Sequence, residues 1–145
     1  MLILDEPTSG LDPMERIRFR DLIGQLGEER TVLLSMHIVS DIEAIAKEVF
    51  LMKQGRIISQ GSIAALCDEI SGKSWICRSD KKEAMEVINR QDTLVVTMRS
   101  EGSSMEYRIL CGDKPCENAM PSEVTLEDVF IYHFGESEDR GNAQI

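Results

Sequence analysis

The chain has 145 residues, 42% of them hydrophobic, and a net charge of −10. That is apolar material for one ordinary domain or a small pair, and it argues against wholesale disorder. The acidic balance, the same in both parts of the chain, speaks against a general nucleic-acid binder. No apolar run approaches the roughly 20 residues of a membrane helix, and no secretory n-region or h-region is present. The expected compartment is cytosolic. Cysteines stand at 67, 77, 111 and 116. Cys111 and Cys116 have a C-x4-C spacing but no second knuckle and no nearby histidine, so free thiols are the better reading than zinc.

Leu2-Ile3-Leu4 is a short apolar run, the mark of a strand buried on both faces in a parallel sheet. Asp5 and Glu6 follow at its C-terminal end, where ligand chemistry sits in open α/β sheets. Pro7 stops the ladder because it has no N–H to donate, and Thr8-Ser9-Gly10 is turn chemistry. Successive side chains alternate across a strand, so the two acids need not share one job. For the same reason they are poorly placed to flank one bond as paired glycosidase acids do.

The string LILDEPTSGLDP resembles the Walker B motif and D-loop of ABC-transporter ATPase subunits. The resemblance implies that Asp5 is the Walker B aspartate, holding Mg2+ through water. It makes Glu6 the catalytic glutamate that polarises the attacking water. Ser9, Gly10, Leu11 and Asp12 match the D-loop, which contributes to the nucleotide site and touches the opposite subunit.

Asp12-Pro13 reads as an N-cap followed by proline at the first helical position. Glu15 favours the first turn. Met14, Ile17, Leu22, Ile23 and Leu26 recur near helical spacing through about Gln25. Arg16, Arg18 and Arg20 between them read as a solvated face, with Glu15 and Asp21 as partial partners. Thr31-Val32-Leu33-Leu34-Ser35-Met36 is a second buried-strand candidate. His37 follows it at the same rim of the sheet as Asp5 and Glu6. By the resemblance it is the switch histidine that hydrogen-bonds the γ-phosphate or the attacking water, with Met36 a mild departure from the small residue usual there.

Residues 38–48 read as a helix, with Ile42, Ile45, Ala46 and Val49 inward and Asp41, Glu43, Lys47 and Glu48 wet. Val49-Phe50-Leu51-Met52 and Ile57-Ile58 flank Lys53-Gln54-Gly55-Arg56, an antiparallel hairpin. Ser62 caps a short helix to about Glu69. This order resembles the end of an ABC nucleotide-binding domain over residues 1–70.

Residues 71–74 read as a joint. Beyond it, residues 73–111 read β-α-β-β. Strands are expected at Trp75-Ile76-Cys77, 94–98 and 105–110, with a helix over 81–90 capped by Asp80. Residues 112–121 read as a polar loop. Thr125 and Asp128 form a variant capping box that opens a last helix ended by Gly135. Thr125-Leu126-Glu127-Asp128-Val129-Phe130 resembles the C-terminal helix of ATPase subunits of ABC-2-type exporters. Residues 136–145, acidic and nearly free of apolar side chains, read as a disordered tail.

The expected fold is therefore α/β: the C-terminal part of a P-loop NTPase (ABC) nucleotide-binding domain at 1–70, then a small α+β accessory module at 71–135. No G-x-x-x-x-G-K-[S/T] phosphate loop, Q-loop or Leu-Ser-Gly-Gly-Gln signature occurs in the 145 residues. The expectation is a C-terminal half whose ATP and Mg2+ chemistry requires the intact subunit. In that subunit the resemblance implies a second ATPase subunit as D-loop partner, and a membrane permease that holds the protein on the cytoplasmic face of the membrane. The alternative is a non-catalytic regulatory or interaction module that pairs with a full ABC subunit. The open Leu2-Ile3-Leu4 edge also predicts poor solubility.

Overall fold

The computed structural model describes residues 1–135. It has mixed α/β structure and divides into two compact units, with the boundary between Val49 and Phe50. That division falls within residues 1–70, the stretch read from sequence as one part.

The first unit is a β-α-β crossover followed by a short helix. Strand β1 (Leu2–Asp5) pairs in parallel with β2 (Val32–Ser35), Leu2 opposite Val32 and Asp5 opposite Ser35. Helix α1 (Pro13–Glu29) connects them. Its start is fixed as its sequence dictates. Glu15 N–H donates to Asp12 Oδ1 at 2.9 Å, Asp12 N–H donates to Glu15 Oε2 at 3.0 Å, and Pro13 occupies the first turn. The helix runs four residues past Gln25, because the ladder continues through Gly24 and Gly27 until Arg30 N–H closes on Leu26 C=O at 3.0 Å. Each glycine costs about 1 kcal/mol relative to alanine in a helix, which is affordable in a helix this long.

Expectations for this unit are corrected at β1, at α2 and at Arg16 and Arg20 of α1. Strand β1 is not buried on both faces: its exposure alternates, and Ile3 is 61% exposed beside its cross-strand neighbour Leu33 at 49%. A two-stranded sheet covered on one face shows the period-2 pattern of a half-buried strand. Along α1 only Ile23 is buried, while Met14, Ile17 and Leu22 are exposed, so its apolar stripe is largely uncovered. Helix α2 (Val39–Ile45) is shorter than expected, and Asp41, assigned to its wet side, is 3% exposed. The reason is electrostatic. Arg20 of α1 brings its Nη1 to 3.8 Å from Asp41 Oδ1, so that arginine faces a carboxylate on the neighbouring helix rather than solvent. Arg16 likewise turns inward, its Nε donating to Leu11 C=O at 3.2 Å.

The second unit begins with a hairpin of β3 (Val49–Lys53) and β4 (Arg56–Gly61). Gln54 and Gly55 both have positive φ, 50° and 75°, as a two-residue type I′ turn requires. Helix α3 (Ile63–Glu69) starts at Ser62, whose Oγ accepts from Ala65 N–H at 3.2 Å. A four-stranded antiparallel sheet follows, in the order β6-β7-β5-β8. Its strands are β5 (Ser74–Asp80), β6 (Leu94–Glu101), β7 (Ser104–Leu110) and β8 (Met120–Pro121), with α4 (Lys81–Ile88) after β5. Residue 96 is a bulge in the β6–β7 pairing. The expected β-α-β-β order holds. Strand β8 falls in the stretch read as a polar loop, because two residues ending in proline carry no periodic signal.

The core of the sheet is Cys77, Ala84, Val87, Met105, Tyr107, Ile109, Cys111 and Ala119. Helix α5 (Leu126–Phe134) opens with the expected capping box. Asp128 serves two masters there: its Oδ2 accepts from Thr125 N–H at 2.9 Å and also pairs with Arg108 of β7. Leu126 and Val129, apolar members of the string resembling exporter subunits, are buried, so that string doubles as a docking code. The expectation of a disordered tail falls on residues outside those described.

Candidate active site

The carboxyl ends of β1 and β2 carry the candidate residues. A parallel pair in register ends both strands at one rim, so the residues just beyond Asp5 and Ser35 emerge side by side. Glu6 N–H donates to Ser35 C=O at 2.8 Å and extends the pairing by one residue. The chain then turns sharply, with Glu6 at φ 46°, in the left-handed region that few non-glycine residues adopt. Such a conformation costs on the order of 1–3 kcal/mol and persists only where its surroundings impose it. Here Ser9 N–H returns to Glu6 C=O at 3.1 Å and Leu11 N–H to Thr8 C=O at 3.3 Å, closing two successive turns over a buried Thr8.

That turn aims Glu6 at His37. Glu6 Oε2 and His37 Nδ1 are hydrogen-bonded at 2.5 Å. A carboxylate only accepts, so Nδ1 carries the hydrogen and Nε2 is the ring nitrogen left for a ligand. Both side chains are open to solvent, His37 by 67% and Glu6 by 37%. The pair therefore sits at an accessible surface, with Glu6 Oε1 also available. A carboxylate oriented by an imidazole can hold a water and receive its proton.

Asp5 ends β1 with an exposed side chain. Among the described residues no group of three His, Cys, Asp or Glu side chains is arranged to hold a metal ion. The exposed Asp5 carboxylate is a donor of the kind Mg2+ takes, since Mg2+ keeps several waters and accepts few carboxylates. Of the D-loop candidates, Ser9 and Gly10 are exposed and Leu11 half-buried. Gly10 has φ 79° with open space around its Cα, so the turn selects glycine for its backbone rather than for room. Asp12 directs its carboxylate to the α1 cap, leaving its contribution to a ligand site secondary to holding the helix. Sequence reasoning missed the strained Glu6 backbone and the buried Thr8. The Pro7-Thr8-Ser9-Gly10 turn chemistry was the available signal for both.

No protein-family model matches the chain. Curated proteins do. It is 30% identical over 142 residues to the uncharacterized ABC transporter ATP-binding protein YdbJ of Bacillus subtilis, covering 90% of this chain and 46% of that protein. It is 42% identical over 62 residues to the bacitracin transport ATP-binding protein BcrA of Bacillus licheniformis, covering 41% of this chain and 20% of that one. A third match is the energy-coupling factor transporter ATP-binding protein EcfA2 of Lactococcus lactis, 38% identical over 71 residues, covering 48% and 25%. The chain spans about half the length, or less, of the relatives it matches. It is, on these similarities, a homologue of the ATP-binding proteins of ABC transporters, aligned with part of their length.

Proposed function

We propose that residues 1–70 supply the hydrolytic half of an ATP site in an ABC-type exporter, with residues 71–135 as an accessory module. The observation that carries this reading is the 2.5 Å bond between Glu6 Oε2 and His37 Nδ1 at the rim where β1 and β2 end. Glu6 polarises the attacking water and receives its proton, while His37 donates Nδ1–H to Glu6, which orients it, and offers Nε2 as an acceptor to the attacking water. Asp5 holds Mg2+ through water, and bound Mg2+ offsets the charge of the phosphates. Ser9 to Asp12 form the surface offered to a second ATPase subunit. A membrane permease is the partner that would couple hydrolysis to transport and keep the protein at the cytoplasmic face. The described helices include none long and apolar enough to cross a membrane, which agrees with a separate permease.

The backbone N–H cradle and lysine of a phosphate loop are absent from these 145 residues. The reading therefore makes a divided prediction. MgATP titrated calorimetrically into the chain alone gives no saturable heat. The same titration into a graft, with residues 1–135 replacing the matching segment of YdbJ, gives saturable binding. Saturable binding by the chain alone would mean that a phosphate site exists elsewhere in it and that this reading is wrong.

A further inference from the structure

Within the second unit, an open cleft of about 610 Å3 lies between the end of α4, the start of β6 and the last turn of α5. Sites for small molecules span roughly 300–1,000 Å3. The connection from α4 to β6 forms one wall. Arg90 N–H closes on Val87 C=O at 3.2 Å and Thr93 N–H on Arg90 C=O at 3.3 Å, so two successive turns fix the backbone at Arg90. Its side chain is anchored as well, Nη1 donating to Pro115 C=O at 3.0 Å. A guanidinium has five N–H donors, so this bond leaves most of the fork unused.

The rest of the lining is largely aliphatic. Ile88, Leu94 and Ile131 are half-buried and Val95 is 36% exposed, so the cleft leaves apolar surface in contact with water. The chain carries 26 acidic and 16 basic side chains, yet among the described residues no Asp or Glu lines the cleft and no carboxylate pairs with Arg90. Asp92, two residues on, is exposed and outside the lining. Acids more than about 8 Å away are largely screened at physiological salt. The local balance is therefore one anchored cation beside an uncovered apolar wall.

We propose that this cleft binds a small organic acid with an aliphatic body. The carboxylate sits on the Arg90 guanidinium, whose planar fork matches it. The body covers Ile88, Leu94, Val95 and Ile131 and removes their apolar surface from water.

The test titrates sodium octanoate, below its micelle concentration, into the isotope-labelled full chain and follows amide shifts by NMR. Saturable shifts are expected at residues 88–95 and 131–135. Octylammonium, of the same length and opposite charge, is expected to give none there. Arg90→Gln should weaken octanoate binding by about tenfold, the worth of a hydrogen bond to a charged group. Arg90→Lys, which keeps the charge, should bind more tightly than Arg90→Gln. Val95→Trp should abolish binding by filling the cleft. No saturable shifts at these residues would overturn the proposal, as would equal binding of octylammonium or unchanged affinity in Arg90→Gln or Val95→Trp. The same spectra report folding. If the variants unfold, the contrast between octanoate and octylammonium on the unsubstituted chain decides the matter.

Discussion

Glu6 combines a strained backbone with the contact on which the proposed chemistry rests. Its φ of 46° lets the side chain leave the strand line and reach His37. Gly10, at φ 79°, completes the same turn. Because nothing lies within 4 Å of a Cβ built there, Gly10→Ala meets no steric clash. Its cost is conformational, about 1 kcal/mol, the penalty of a left-handed alanine. A urea unfolding series should show a lower midpoint for Gly10→Ala with an unchanged slope. An unchanged midpoint would mean that the turn does not hold this conformation in solution. These residues differ in how legible they were. Asp5, Glu6 and His37 were marked by type and position at strand ends, whereas the positive φ of Glu6 was not, since it is set by the return bonds from Ser9 and by pairing with Ser35.

At the scale of elements, caps were the most legible features. Asp12, Ser62, Asp80 and Thr125 each open a helix where the sequence placed them, because a short side-chain oxygen three residues before an N–H is a local arrangement. Burial was less legible. The spacing of Met14, Ile17 and Leu22 marks a helix but does not say whether another layer covers it. Asp41 looks wet in sequence, and Arg20, distant along the chain, is what draws it in. Asp128 shows the same distance effect, since its buried carboxylate joins the α5 cap to Arg108 of β7. Asp128→Ala removes both and strands a partly buried guanidinium, so a loss of about 3 kcal/mol is expected from chemical unfolding. Thr125→Ala, which removes the hydroxyl cap and the weaker bond that this hydroxyl accepts from Arg108 Nη2 at 3.2 Å, should cost about 1 kcal/mol. Equal losses would show that the Arg108–Asp128 ion pair adds nothing beyond the Thr125 contacts.

Across the whole molecule, two consequences follow from what is covered and what is not. Burial, with the neighbouring Cys116 thiol adding to it, pushes Cys77 up to about 12. Burial likewise pushes Tyr107 up to about 12, opposed by its hydrogen bond with Ser79 and reinforced by Cys77, Cys116 and Glu83. Both groups stay protonated in the fold while the unfolded chain releases its protons at lower pH. Their contribution is therefore complete below the ordinary thiol value of 9.0 and falls as pH rises toward 12. Thermal melts should show a Tm that declines from pH 9 upward, and less steeply in Cys77→Ala. Conversely, Ile3 and Leu33 leave an apolar face on the β1–β2 pair. Sedimentation should show self-association that Ile3→Lys reduces, and a monomer at all concentrations would contradict it.

ATP turnover in the YdbJ graft tests the Glu6–His37 site most directly. The unsubstituted graft should hydrolyse MgATP. Glu6→Gln should bind MgATP as well but turn it over more slowly by a factor on the order of 10²–10⁴, the usual worth of a general base. Unchanged turnover in Glu6→Gln would contradict the assignment and leave the Glu6–His37 bond as a structural contact.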